Sequence, residues 1–196
     1  PTRFWKPDGS GEVVGLPSFD FERGKLLNMT KALAPAFLRV GGTEADRAFY
    51  ALEAADPTTP QAPFRSTLTA KHVDAIGGFA KAVGLDVCFT LNAGRGARGA
   101  GGEWESAQAR RLMRYVRERE FPFAVFELGN EPNAWPLFHD GLLVSPEDYA
   151  RDARELCRAR DDECPAAQVG RKPGARAWGL GCGARVRGRG PSTGTG

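Results

Sequence analysis

Two hydrophobic periods alternate along the chain, and the places where they switch predict a repeating helix and strand order. From Lys25 to Ala34 the apolar positions Leu26, Met29, Ala32 and Leu33 recur at helical spacing, and Pro35 stops the helix. The run Ala36 to Val40 then predicts a buried strand whose exit at Gly41-Gly42 needs a tight backbone. Val73, Ile76, Phe79, Ala80 and Val83 mark one face of a helix over Thr69 to Val83, capped by Gly84. Leu85 to Leu91 is the next strand candidate. Ala109, Leu112, Tyr115 and Val116 mark a helix over Glu105 to Glu118, broken by Pro122. Phe123 to Leu128 reads as a third strand. A last helix opens on Ser145-Pro146-Glu147-Asp148, with Ser145 as N-cap and Pro146 at the first helical position, and runs to about Arg160. Residues 1–24, rich in Gly and Pro, read as an extended loop. So do residues 51–66, with Pro57, Pro60 and Pro63, and the glycine-rich stretch from Gly94 to Gly102.

Helix, strand, helix, strand, helix, strand, helix is an α/β order, and it implies a parallel sheet with helical crossovers. The strands are apolar almost throughout, as expected of a sheet covered on both faces. A doubly wound sheet and a barrel both satisfy this pattern.

Length changes the picture, because 196 residues allow one domain with a real core, whereas a complete (β/α)8 barrel takes about 250. The chain opens at Pro1 without Met or a signal peptide, so a missing upstream piece is expected. No apolar run approaches the roughly 18–20 residues of a membrane span. Charge is uneven. Residues 164–196 hold six of the 27 cationic side chains and none of the 24 acidic ones, so residues 1–163 carry 21 − 24 = −3. That body offers no electrostatic case for nucleic acid. Beyond Gln168 the pattern stops, and nine glycines fall between Gly170 and Gly196. Residues 1–168 therefore read as the folded domain and 169–196 as an irregular tail. The tail is either a disordered linker or a GC-rich gene read out of frame from near Val169. Cys88, Cys157, Cys164 and Cys182 form no C-x-x-C pair, and two histidines complete no familiar zinc pattern, so neither metal nor cofactor is expected. A Cys157–Cys164 disulfide is open, and Cys88 reads as a small core residue.

The chemistry-bearing segment is Phe126-Glu127-Leu128-Gly129-Asn130-Glu131-Pro132-Asn133. A carboxylate at the C-terminal end of a parallel strand stands where barrel enzymes place their chemistry. Pro132 restricts the backbone of Glu131. Cleaving a glycosidic bond needs a carboxylic acid to protonate the leaving oxygen, and burial or a neighbouring carboxylate can keep such a proton on. Glu127 to Asn133 resembles the acid/base segment of heparanase and the β-glucuronidases of glycoside hydrolase family 79. Leu38-Arg39-Val40-Gly41-Gly42-Thr43-Glu44-Ala45-Asp46 resembles that family's strand followed by Gly-Gly-Thr-x-x-Asp. Gly84 to Ala93 resembles its next strand, ending in Leu91-Asn92-Ala93. The resemblance covers roughly residues 25–160.

The resemblance implies the first half of a (β/α)8 barrel and a retaining β-glucuronidase acting on a glucuronic-acid-containing glycan or glycoside. It implies Glu131 as proton donor, Asn130 on the hydroxyl beside the anomeric carbon, and Thr43 lining the sugar site. Asn92 lines the cleft or caps a turn, and Trp135, ahead of Trp104, stacks on a sugar ring or simply packs. An extracellular, lysosomal or periplasmic setting follows by the same analogy. The family's nucleophile is a second glutamate about a hundred residues after the acid, and only 65 residues follow Glu131. The chain is therefore expected to be inactive alone. A neutral-sugar glycosidase of the same clan, or a non-catalytic carbohydrate-binding half barrel that self-associates through exposed strand edges, are the alternatives. His72 reads as a surface or packing residue, His139 as a solvated loop residue, and Asn28-Met29-Thr30 as a glycosylation pattern inside a helix. Arg110, Arg111, Arg114, Arg117 and Arg119 read as a solvated helix face.

Overall fold

The computed structural model describes residues 20–170 and, as backbone only, Thr2–Trp5 and Val13–Leu16. Those two short strands, β1 and β2, pair antiparallel, so part of the segment read as loop is a hairpin. Helix α1 is Gly24–Lys31 and strand β3 is Phe37–Val40. A 3-10 turn over Thr43–Arg47 leads into β4 (Ala48–Ala51), which pairs in parallel with β5 (Ser66–Thr69). This small pair brackets the proline-rich loop. It was hidden in the sequence because four residues are too few to show a period. The order continues α2 (Ala70–Val83), β6 (Asp86–Leu91), α3 (Ala107–Glu118) and β7 (Phe123–Leu128). A four-residue helix α4 (Trp135–Phe138), the long α5 (Pro146–Glu163) and β8 (Gln168–Val169) complete it.

The main sheet is parallel, with order β3-β6-β7-β8, so each new strand is laid beside the previous one without reversal. β8 straddles the expected boundary at Gln168, and its residues Gln168 and Val169 pair with Val125 and Phe126. Residues 171–196, with Cys182 and the rest of the glycine-rich tail, lie outside the described residues.

Alternation decides where the core sits. Val87, Phe89, Leu91, Phe126 and Leu128 are buried among Val73 and Ile76 of α2, Leu112, Met113 and Val116 of α3, and Leu156 of α5. Arg39, Cys88, Thr90, Val125 and Glu127 take the intervening positions and point to the other face of the sheet. β3 is an edge strand and only half covered, with Phe37 exposed, so it is not the buried strand its apolar run suggested. Helix α1 buries no residue and ends at Lys31, short of the expected Ala34; Met29 on it and Leu33 beyond it face outward. Asn28 is exposed on that helix.

Local signals explain the remaining boundaries. Thr69 and His72 form a reciprocal capping box at the start of α2, and Gly84 ends it at φ 74°. His72 thus holds its own helix end. The Ser145 hydroxyl accepts from the Asp148 N–H at 3.1 Å. On α3 every arginine named above has an anionic or carbonyl partner. Arg110 reaches Glu155 and Asp162, Arg111 reaches Glu53 and Asp56, and Arg114 reaches Glu163. Arg117 donates to the Glu163 carbonyl, and Arg119 pairs with Asp74. This is a helix face tied to neighbouring elements. Cys164 is a buried thiol, so it makes no disulfide with Cys157.

Candidate functional site

In a parallel sheet all C-terminal strand ends lie on one side. Here that side gathers the turn after β3 with Thr43 and Asp46, the loop after β6 with Asn92, and the loop after β7 with Asn130 and Glu131. Strand β7 runs extended as far as Leu128, two residues before Asn130. The chain then bends sharply: Gly129 has φ 63° and Glu131 has φ 48°, ψ 58°. A left-handed backbone is uncommon for a residue with a side chain and is held only where the surroundings impose it. Pro132 starts a 3-10 turn directly after it, and the Ala134 N–H donates to the Glu131 carbonyl at 2.8 Å.

Glu131 is exposed, and its Oε2 accepts from Asn130 Nδ2 at 3.3 Å. Asn130 is 9% exposed and its Oδ1 accepts from Arg39 Nη2 at 3.2 Å. Arg39 also donates through Nε to Glu127 at 2.9 Å and to the Thr90 hydroxyl at 3.3 Å, while Thr90 donates to Glu127 at 2.7 Å. A polar network thus runs across the open face of the sheet from β3 through β6 and β7 to the candidate acid. Sequence patterning missed Arg39, Thr90 and Glu127, because apolar neighbours hide single polar residues in short strands. Their equal parity along the three strands was the available signal.

For Asn92, Trp135 and Trp104 the structure shows the capping or packing alternative. Asn92 is 4% exposed, and its amide donates to the Ala48 carbonyl while its Oδ1 accepts from the Gly94 N–H. These are the bonds of a turn cap, the second of its two expected roles. Trp135 is 1% exposed and cannot offer a face to a sugar. Its indole N–H lies 2.8 Å from the Asn130 carbonyl and 3.1 Å from Asp46 Oδ2. Trp104 is also buried, donating to the Asn92 carbonyl. Thr43 stands half-buried at the start of its turn, at the same end of the sheet as Glu131.

His139 is not a solvated histidine. It is 4% exposed and packs edge-on against Trp135 with ring centres 6.2 Å apart. It borders a shallow pocket with Arg47, Arg65, Arg95 and Asp140, and Glu131 is not among the residues lining that pocket. Burial, reinforced by Arg47, lowers its pKa below the ordinary 6.5. The unfolded chain therefore takes up a proton that the folded chain refuses between that lowered value and 6.5, and stability falls as pH drops through this window. The expected result is a thermal midpoint that declines between pH 7 and pH 5.5 in the parent chain and much less in His139→Gln, measured by circular dichroism. Glu163, held below its usual 4.5 mainly by Arg114, gives up its contribution only in more acid solution, so the two losses separate.

Residues 9–164 match the family model described as glycosyl hydrolase family 79, N-terminal domain. The chain belongs to glycosyl hydrolase family 79. Among its relatives is heparanase-like protein 3 of Arabidopsis thaliana, 29% identical over 175 residues, which cover 78% of this chain and 32% of the relative. Baicalin-beta-D-glucuronidase of Scutellaria baicalensis is 30% identical over 177 residues, covering 76% and 32%. Inactive heparanase-2 of Homo sapiens is 35% identical over 89 residues, covering 45% and 14%. The family 79 chain thus spans about a third of the length of the first two relatives.

Proposed function

We propose that this family 79 chain carries the acid/base portion of a retaining β-glucuronidase, with Glu131 as proton donor and Asn130 beside it on the sugar. The observation that carries the reading is the placement of Glu131. Its carboxylate stands exposed at the C-terminal end of a parallel strand, on a constrained left-handed backbone, hydrogen-bonded to Asn130. The sequential strand order β3-β6-β7-β8 supports a partial (β/α)8 barrel, since a doubly wound sheet would reverse direction at a switch point. Glucuronide as substrate draws on the likeness to the Scutellaria baicalin-beta-D-glucuronidase. Thr43 is proposed to approach the same sugar from the end of β3.

Retention needs two carboxyls about 5–5.5 Å apart. Among the described residues after Glu131, the carboxylates lie in loops or on α5, and none ends a later strand. The 196-residue chain alone is expected to release no phenol from an aryl β-glucuronide above the uncatalysed rate. Turnover that vanished in Glu131→Gln would sink the two-carboxylate account of this chain. A second reading, sugar binding without turnover, is favoured by the likeness to inactive heparanase-2. It predicts glucuronide binding that Glu131→Gln leaves unchanged.

A further inference from the structure

Asp46 closes the Gly41-Gly42-Thr43-Glu44-Ala45-Asp46 segment, yet it has no role in the proton transfer proposed above. It is 2% exposed. Its Oδ1 accepts from the Ala93 N–H at 3.0 Å, and its Oδ2 accepts from the Asn130 N–H at 2.8 Å and from Trp135 Nε1 at 3.1 Å. The carboxylate comes from the turn after β3, and its donors come from the segments after β6 and β7. One buried side chain therefore ties together the C-terminal ends of three adjacent parallel strands.

The backbone around it is shaped to allow this approach. A Cβ on Gly94 would lie 2.1 Å from the Asp46 carbonyl oxygen. A Cβ on Gly129 would lie 3.0 Å from Asp46 Oδ1 and 2.5 Å from the Trp135 ring. Only glycine lets both loops close on the carboxylate. Asn130 is then gripped twice, through its N–H by Asp46 and through its carbonyl by the Trp135 indole. The next residue is Glu131, whose left-handed backbone departs from that fixed peptide.

We propose that Asp46 is a positioning residue for Glu131, acting as a carboxylate through the Asn130 peptide and the Trp135 indole. Two oxygens with four lone pairs receive the three N–H donors without leaving one facing another donor. An asparagine in the same place offers a single acceptor oxygen and turns an NH2 toward N–H groups on one side. The consequence for catalysis rests on the proton-donor reading of Glu131; the geometry of the hub does not.

The test uses nuclear magnetic resonance on this chain, which requires no turnover. In Asp46→Asn, at a temperature where the variant stays folded, the Asn130 amide is expected to exchange about 10- to 100-fold faster, the loss of one charge-assisted hydrogen bond. The Trp135 indole resonance and the Glu131 backbone amide resonance are expected to shift with it. Leu156→Ala, which removes a fully buried core side chain on α5, is the control for general loosening and should leave the Glu131 amide resonance in place. If Asp46→Asn does not fold, Trp135→Phe decides. It removes the indole donor to both Asp46 and Asn130, and it should move the same Glu131 signals by a smaller amount. A folded Asp46→Asn, or a folded Trp135→Phe in its stead, with parental Asn130 exchange and a parental Glu131 amide resonance overturns the proposal. Failure of Glu131→Gln to affect an active family member would instead remove the catalytic reading and leave this result standing.

Discussion

Glu131→Gln is expected to slow hydrolysis by about 10²–10⁴-fold in a full-length family 79 chain carrying residues 9–164, the range for losing a positioned general acid. The size of the loss should depend on the leaving group. An alkyl or sugar oxygen departs only if protonated, so the full effect falls on such glycosides. A dinitrophenolate leaves without a proton, so cleavage of its glucuronide should suffer far less in the step that releases the aglycone. Glutamine keeps the size of the side chain and the acceptor for Asn130 Nδ2, so the 3.3 Å contact is retained and only the transferable proton is removed. A chimera of the Scutellaria glucuronidase with this segment in place of its own, assayed with both kinds of substrate, makes the comparison. Equal losses on both substrates would show that Glu131 is not the acid.

Asp152→Ala is expected to destabilise the described fold by about 3–5 kcal/mol, the usual consequence of stranding one charge of a buried pair. Asp152 on α5 meets Arg98 at 2.9 Å, with side chains 1% and 5% exposed. Its other oxygen accepts from the Trp104 N–H at 3.3 Å and pairs with Arg151 at 3.1 Å. Arg98 donates in addition to the carbonyls of Ala93 and Gly102 and lies over the Trp135 ring, 5.5 Å from its centre. Without Asp152 this guanidinium would keep its carbonyls and its aromatic face but lose its countercharge. One of its nitrogens, Nη2, already lacks a hydrogen-bond partner. The double variant Arg98→Met with Asp152→Leu removes both charges together, and its cost should be much smaller than that of Asp152→Ala. Urea denaturation of the three chains checks the ordering. A double variant as unstable as the single one would mean that the pair contributes shape and not charge compensation.

Much of the frame was legible in the chain because its signals are local and redundant. The helix over residues 70–83 has a cap at each end and an apolar stripe between, and the strands at 86–91 and 123–128 are long enough to be seen. The strands over 48–51, 66–69 and 168–169 are not, since each exists only through its partner. Glu131 could be singled out because a turn and a proline fix its setting. The fates of Trp135 and His139 could not, because whether an aromatic residue in a loop faces solvent or core depends on what the loop folds back against. Here that is Asp46, from a turn 84 residues before Asn130. The same long range hid Arg39, whose partners Glu127 and Asn130 lie 88 and 91 residues away.

The arginines of α3 and the Arg98–Asp152 pair form two layers of charge that respond differently to the solvent. Concentrated salt shortens the reach of a charge to about 3 Å at 1 M, so the outer ties weaken. The inner pair never meets those ions. Sodium chloride therefore acts on this protein as a selective solvent for its periphery, loosening the belt that joins α3 to α5 while the contact beneath the loops stays shut.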